Sequence, residues 1–492
     1  MKTFLLLYTE RPTRKIFSAN RPGRLVYASD DVSDEDRQTY DECIQLPAPN
    51  RLKETLDILG KLKFDELVAQ TEYSLLPGSI LARERGLRAL SPESAFLCTN
   101  KWLQRRELEG HGVPIPNYAL VESEKQVIDF AQTFPVVLKP IASTLGRLVV
   151  KVNSKEELEQ YVRQLHELLP KSIDILRCRE FASLTKQEMD CDPFKHFLVE
   201  EYIDGEVQET DGLLFGEQLC LFGVTEQILA NRSPYFFIEG YVLSQAINAE
   251  LQEATIGAVR ATQLTDAGFS IEMRGGKVIE VNGRLGEDDG FPDLFKEAIG
   301  KFPLLKWLDE DSSLPEFSGV YALAYVNWYE GGTLKSLTNE FVCESEDGMM
   351  LGFSDQVPIT ESLASPDSVA LGSSASCRHG NESFNEIIGG RDVCAPYENE
   401  TSSRSKWRQA GSAGFSPASV PTESLCTALN DQSSQFGHVR FELVAKKGAR
   451  LNAPPHEEIN PHLAFAIAHS DSFDSAVRIA KKSLEGVRFE FE

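Results

Sequence analysis

The run Phe269-Ser-Ile-Glu-Met-Arg-Gly-Gly-Lys-Val-Ile-Glu-Val-Asn-Gly-Arg284 gathers two carboxylates, an amide and an arginine within sixteen residues. Glu280, Asn282 and Arg284 alternate, so on a strand all three project from one face, with Val281 and Gly283 on the other. Gly275-Gly276 permits a tight turn, which would return Glu272 beside Glu280 on a paired strand. Two hard anionic oxygens, one neutral oxygen and one fixed cation form a set suited to magnesium carrying a polyphosphate. The competing reading is a solvated hairpin with Arg284 ion-paired to Glu280 or Glu272. Against it, Asn282 has no structural task between two apolar positions, and a buried amide without partners is costly.

Two upstream segments bear on phosphate and nucleotide chemistry. Lys139 closes the apolar strand Pro135-Val-Val-Leu-Lys-Pro140; a solvated strand end is the plain reading. The next residues, Ala142-Ser-Thr-Leu-Gly-Arg147, form a small hydroxyl-bearing turn with spare backbone N–H groups, which can fold over phosphate oxygens. The segment Phe197-Leu-Val-Glu-Glu-Tyr-Ile203, read as a strand continuing past Gly205 toward Leu214, places Glu200 and Glu201 on opposite faces. Its backbone at Glu201–Ile203 could hydrogen-bond a purine edge and Glu206 could accept from ribose hydroxyls.

The elements that must position these groups fit an α/β chain of 492 residues, 41% hydrophobic and 25% charged. Seventy-five acidic against fifty basic residues give a net charge of −25, which disfavours general binding to nucleic acid or anionic membrane. Nine cysteines without a CxxC pair read as reduced thiols in a cytoplasmic protein. The apolar run after Met1 is too short for a signal peptide and reads as a first strand. Residues 1–99 alternate strands and helices: a strand at Phe4–Tyr8, a helix at Arg51–Leu62, a short strand at Glu66–Ala69, and a helix from Ser79 to Gly86. Asn100 caps a helix beginning near Lys101. Strands are expected at Arg147–Val152 and Leu219–Thr225, and helices at Ser154–Leu169 and Glu250–Ala267. Residues 318–338 read as two strands around Glu330-Gly-Gly-Thr333. Residues 346–437 are rich in Ser, Gly, Asn and Pro and read as a disordered insertion of low complexity. Order is expected again at Val439–Ala445, in a helix over Ser472–Leu484 and in a strand at Val487–Phe491.

In order and spacing, four blocks together resemble the ATP-grasp superfamily: Asn100-Lys101 before Gly112-Val-Pro-Ile-Pro116, Leu138-Lys139-Pro140, Val199-Glu-Glu-Tyr-Ile-Asp-Gly-Glu206, and Ile271-Glu272 through Glu280-Val-Asn-Gly-Arg284. Thr71-Glu72, Leu87 and Ser91-Pro92 look like the family's nucleotide-side entry. The resemblance covers about 1–345 and resumes at 438–492. It implies an α/β pre-ATP-grasp domain (1–99), a two-subdomain ATP-grasp fold (100–300), a C-terminal subdomain (301–345 with 438–492) and the inserted loop. It further implies that Lys101 and Lys139 contact ATP phosphates, that Ser143, Thr144 and Gly146 belong to a mobile phosphate-covering loop, and that Glu200, Glu201, Tyr202 and Ile203 hold adenine and Glu206 ribose. Glu272, Glu280 and Asn282 would bind one or two Mg²⁺ ions, or Mn²⁺, and Arg284 would stabilise the transferring phosphoryl group. The phosphate loop has fewer glycines than the family usually carries, and Glu287-Asp288-Asp289 stands where the family often continues with glycine. Those carboxylates would favour a cationic amine acceptor, against the plainer reading of a solvated acidic loop.

The chemistry implied is ATP-dependent ligation of a small-molecule carboxylate to an amine through an acyl-phosphate, as in the amino-acid ligases. A ligase or carboxylase subunit of purine or carbamoyl-phosphate type, or a non-catalytic ATP-binding module, are the alternatives. A homodimer is compatible with either.

Overall fold

The computed structural model describes residues 1–329, 332–339, 439–444, 450–451 and 462–491. The expected insertion at 346–437 lies outside the described residues.

The chain opens with four strands, β1 (Thr3–Leu7), β2 (Arg24–Ser29), β3 (Glu42–Gln45) and β4 (Glu66–Val68). They form a parallel sheet in the order β3-β2-β1-β4. Leu5, Leu6 and Leu7 are fully buried, because a parallel sheet is covered on both faces and its strands read as continuous apolar runs rather than alternations.

A second sheet contains β5 (Tyr118–Val121), β6 (Val136–Pro140), β7 (Val150–Val152) and β8 (Phe197–Glu201). Its order is β5-β8-β6-β7 and every pairing is antiparallel. The remaining strands are β9 (Val207–Phe215), β10 (Gln218–Leu229), β11 (Ile238–Ser244), β12 (Gly268–Arg274), β13 (Lys277–Asn282), β14 (Val320–Asn327), β15 (Gly332–Asn339), β16 (Arg440–Leu443), β17 (Arg450–Leu451), β18 (His462–Ser470) and β19 (Val487–Phe491). Eight of them build an antiparallel sheet in the order β13-β12-β9-β10-β11-β14-β18-β16. Strands β17, β15 and β19 form a small third antiparallel group.

The two faces of the eight-stranded sheet differ in chemistry. On one, Ala322, Ala324, Ala464, Ala466 and Ala468 pack against Ala476, Val477 and Ala480 of the helix Phe473–Ser483. Small residues here let helix and sheet approach closely. On the other, Tyr241, Leu243, Leu323, Tyr325, Phe465 and Ile467 pack against Phe291, Leu294 and Phe295 of the helix Phe291–Ile299. Each of these three buried helix side chains contributes about 1.5–3 kcal/mol, so the helix is firmly seated. The segment 284–290 that precedes it is thereby held across the sheet.

Several expected elements shift. The strand read as running from Phe197 through Gly205 toward Leu214 is two strands in two sheets, β8 and β9. The break falls where Gly205 takes φ +120°, so Tyr202 and Ile203 lie in the connection and not on β8. The helix expected to start at Ser79 begins at Glu72, where Thr71 and Ser74 form a reciprocal cap, and ends as expected with Gly86 in the left-handed conformation. Arg147 to Val149 belong to the turn before β7. The helix at Ala249–Ala261 stops short of Ala267. The helices Arg11–Ala19 and Ile173–Thr185 are additions to the sequence reading.

Candidate active site

The β12–β13 hairpin forms as expected, with a register shift between Glu272 and Met273 that brings Glu280, rather than Ile279, opposite Glu272. Arg274 pairs with Lys277 around Gly275 and Gly276, which take φ +55° and +75°. A two-residue loop with both residues left-handed matches the twist of the flanking strands. Glu272 stands directly opposite Glu280, and Ser270 opposite Asn282. On the reverse side Val281 is fully buried, and a side chain at Gly283 would meet Leu90 Cδ1 at 2.5 Å and Cys98 Sγ at 3.2 Å. Packing against the helix Pro92–Thr99 and its flank therefore fixes which way the carboxylates point.

The same register continues one strand further. Glu209 of β9 stands opposite Glu272, and Asp211 opposite Ser270. Glu280, Glu272 and Glu209 thus form one row across three strands. Burial and the neighbouring Glu280 raise the Glu272 carboxyl above its usual range. Burial also opposes ionisation of Glu280, but Lys101 outweighs it and the net shift is downward.

Lys101 sits at the first position of the helix Lys101–Gly110, whose cap is the Asn100 side chain accepting from Leu103 N. Its ammonium ion-pairs with Glu280 and donates to the Ser143 carbonyl at 3.1 Å. One turn along, Arg105 Nε donates to Glu200 Oε1 at 2.8 Å, and Lys139 Nζ lies 2.7 Å from Glu200 Oε2. Arg105, Glu200 and Lys139 are all nearly fully buried. Two cations share one carboxylate, so this triad carries net positive charge that also acts on Glu280. Burial drives the Lys139 ammonium down to about 8 despite Glu200. Arg105 was absent from the sequence reading; its signal was the i, i+4 spacing from Lys101 on a helix face that also buries Gln104 and Leu108.

The turn expected over phosphate lies beside these lysines. Leu145, Gly146 and Leu148 adopt φ +53°, +66° and +59°, so the chain turns tightly, with the Arg147 and Val149 N–H groups donating to the Thr144 and Gly146 carbonyls at 3.0 Å. Ser143 Oγ is buried without a hydrogen-bond partner. The turn is anchored rather than loose. Thr144 N and Oγ1 both donate to Asp174 Oδ2, at 3.1 and 3.2 Å, and Arg147 donates to the Tyr73 hydroxyl at 2.7 Å.

The segment after β8 is separately braced. Glu201 ion-pairs with Lys277 and accepts from Asn117 N at 2.9 Å. The Glu201 N–H itself donates to the Asn117 carbonyl at 3.0 Å. Arg274 donates to the Tyr202 hydroxyl at 2.8 Å, and the Lys151 ammonium lies 3.8 Å from the Tyr202 ring centroid. Ile203 contacts the Gly275 turn, and Glu206 is partly buried just before β9. These groups line the connection between the two sheets.

Arg284 is ion-paired with neither Glu280 nor Glu272. Its Nε donates to Glu72 Oε1 at 2.9 Å, and its Nη1 to the Leu285 carbonyl at 3.2 Å. The loop that follows is partly buried and engaged: Asp289 with Arg11, Glu287 with the Thr13 hydroxyl, and Asp288 with the Tyr241 hydroxyl. The plain reading of a solvated acidic loop is therefore corrected.

Among the described residues no three His, Cys, Asp or Glu side chains converge on one metal position. The donor set available on the hairpin is two carboxylates and the Asn282 amide. Oxygen ligands of this kind suit a hard divalent cation that completes its shell with water or phosphate oxygen, and the orphaned Ser143 hydroxyl suits a nearby oxyanion.

Comparison with known proteins agrees with this architecture. Residues 132–291, which span β6–β13, match the ATP-grasp domain. It is also distantly similar to L-amino acid ligases. It is 25% identical over 226 residues to the L-arginine-specific L-amino acid ligase of Bacillus subtilis, covering 44% of this chain and 49% of that one. An uncharacterized protein, y4rH, of Sinorhizobium fredii is 28% identical over 254 residues, covering 50% and 46%. The chain thus spans about half the length of the curated relatives it matches. In fold, the crystal structure of an L-amino acid ligase from Bacillus licheniformis matches over 100% of this chain and 99% of its own, with TM-score 0.67 and 14% identity. A biotin carboxylase domain of Hydrogenobacter thermophilus 2-oxoglutarate carboxylase, solved with MgADP, matches with TM-score 0.56 and 13% identity. Among the described residues no helix is long and apolar enough to cross a membrane.

Proposed function

We propose that this protein is an ADP-forming ligase that joins a small carboxylate, of amino-acid type, to an amine. The observation that carries the reading is the convergence of the Glu272–Glu280 pair with Lys101, Lys139 and a turn holding a buried, unpartnered Ser143 hydroxyl. In this reading Lys101 and Lys139 bind the triphosphate of ATP, and the turn containing Ser143, Thr144 and Gly146 covers it. Glu201, Tyr202, Ile203 and Glu206 line the nucleoside side. The Glu201 N–H is already used by Asn117, so backbone contact to adenine would fall to Tyr202 and Ile203. Glu200 acts from beneath as the counter-ion that orients Lys139.

Glu272, Glu280 and Asn282 would hold Mg²⁺, or Mn²⁺, which when bound neutralises triphosphate charge. Lys101 is the group that must release Glu280 for this, and the phosphates offer it an alternative anion. The chain's own residues then act in two steps. A substrate carboxylate oxygen attacks the γ-phosphorus and the bond to ADP breaks, giving an acyl-phosphate. Arg284 and the lysines supply fixed positive charge to the phosphoryl oxygens. An amine then attacks the acyl carbon, phosphate leaves with the bonding pair, and the nitrogen gives up a proton. Water must stay out between the steps, a task suited to a turn anchored by Asp174 and Tyr73.

The parallel-sheet unit, residues 1–99, contributes Glu72 and Tyr73 to this site in the same reading, and 100–300 the clasp itself. Phosphate release screened over pairs of amino acids and small carboxylates tests the proposal. Release requiring both a carboxylate and an amine supports it; tight ATP binding without turnover for any pair would instead indicate a nucleotide-binding module.

A further inference from the structure

The carboxylate row on the eight-stranded sheet does not end at the hairpin. Glu209 and Asp211 extend it onto β9, and the pairing of Thr225 with Glu209 and with Leu243 carries the same face onto β10 and β11. Glu209 and Asp211 are 8% and 1% exposed. Their hydrogen bonds come from neutral groups. Gln227 and Ser270 donate to Glu209, and Thr225 donates to Asp211 at 3.3 Å. Across from them Asp288 receives the Tyr241 hydroxyl at 2.5 Å.

Among the described residues no Lys, Arg or His lies within ion-pair distance of Glu209, Asp211, Glu287 or Asp288. Arg284, whose charge also acts on Asp211, Glu287 and Asp288, makes its direct ion pair with Glu72, and Arg11 makes its own with Asp289 and Glu442. A charged carboxylate buried with no cation in direct contact is expensive. Independent of the acids, two further polar atoms wait in the same place. Tyr325 Oη and His462 Nε2 are buried without partners, on residues each 8% exposed. The Tyr325 ring lies 6.2 Å from the Tyr241 ring and is stacked 3.6 Å from His462. Its hydroxyl lies within the fields of Asp288, Asp289 and Glu209. Asp211 Oδ1 is likewise unpartnered.

We infer that Glu209 and Asp211, faced by Asp288 and Tyr325, form a subsite for a cationic group of a substrate, an ammonium or guanidinium, one strand beyond the Glu272–Glu280 pair. This rests on the ligase reading only for what happens to the bound molecule. The cation would accept no hydrogen bonds and donate several, to Asp211 Oδ1 and Glu209 first. Strands lie about 4.8 Å apart, so a basic amino acid held here keeps its other end near the phosphoryl-transfer site.

The test is calorimetric binding to the full chain with Mg·ADP present, comparing arginine with citrulline and lysine with norleucine. These pairs differ chiefly in the cation. Agmatine and putrescine, which lack the carboxylate, distinguish a bare amine from a basic amino acid as the source of the charge. The expected result is at least about tenfold tighter binding of the cationic member, with Glu209→Gln and Asp211→Asn each narrowing the gap. Equal affinity within each pair, or no binding of any of the six, overturns the subsite; the comparison within wild-type protein does not depend on the variants folding. Failure of the ligase reading looks different: cation preference would persist while no carboxylate and amine pair released phosphate.

Discussion

Glu72, the first residue of its helix, accepts a 2.9 Å hydrogen bond from Arg284, which follows the β12–β13 hairpin, although 212 residues separate them in the chain. The contact ties the parallel-sheet unit to the carboxylate row. It also holds the guanidinium in one orientation, because a carboxylate at a helix N-terminus is itself fixed by the cap around Thr71. Preorganised charge of this kind is what phosphoryl transfer requires of a protein.

Arg284→Ala should therefore lower kcat by about 10²–10³, with a much smaller change in KM for ATP. Glu72→Gln, which leaves the arginine in place but less constrained, should cost about tenfold. Steady-state phosphate release checks both. Equal losses for the two variants would argue that Glu72 meets the substrate itself.

The triad beneath the site makes a stability prediction. Glu200→Gln leaves Arg105 and Lys139 buried without their shared anion. Breaking a buried pair from one side costs about 3–5 kcal/mol, and differential scanning fluorimetry should show a clear fall in Tm. An unchanged Tm would mean that water reaches the lysine.

Lys139 predicts opposite pH trends for stability and for ATP binding. Burial lowers its ammonium from 10.5 to about 8. Between those values the unfolded chain binds the extra proton, so this group's contribution to stability rises with pH across that window. ATP affinity should do the reverse and weaken as pH passes through about 8, since a neutral amine no longer attracts phosphate. Kd for ATP measured from pH 7 to 9.5 checks this, and Lys139→Met should abolish the step.

Gly283 offers a purely steric test. A Cβ there would stand 2.5 Å from Leu90 Cδ1, so Gly283→Ala should cost about 1–3 kcal/mol and displace Arg284 next to it. Chemical denaturation and kcat should fall together. A stable variant with reduced kcat would point to displacement without strain.

What the sequence disclosed follows the range of the interactions. The hairpin was legible because its alternating pattern and Gly-Gly turn are local, but a count from the turn would set Glu272 opposite Ile279, and the irregularity between Glu272 and Met273 that brings Glu280 across was not legible. Nor was the break between β8 and β9. A β-prone segment interrupted at Gly205 reads the same whether the strand continues or changes sheets. Glu72 and Arg284 belong to one another only through tertiary packing. The sequence reading offered Glu280 or Glu272 as partners because they were near in the chain. Glu209 and Asp211 were invisible for the same reason. They look like ordinary strand residues until β9 pairs with β12 some sixty residues later. Arg105 lay between these cases, since its spacing from Lys101 was local but its anion, Glu200, was not.

The central claim is that a substrate carboxylate is activated by direct attack on the γ-phosphorus. Carboxylate labelled with ¹⁸O, incubated with Mg·ATP and an amine that supports turnover, tests it without recourse to mutants. Mass analysis of the released phosphate should find one ¹⁸O transferred per amide formed, with ADP as the other product. Unlabelled phosphate, or AMP in place of ADP, would contradict the account.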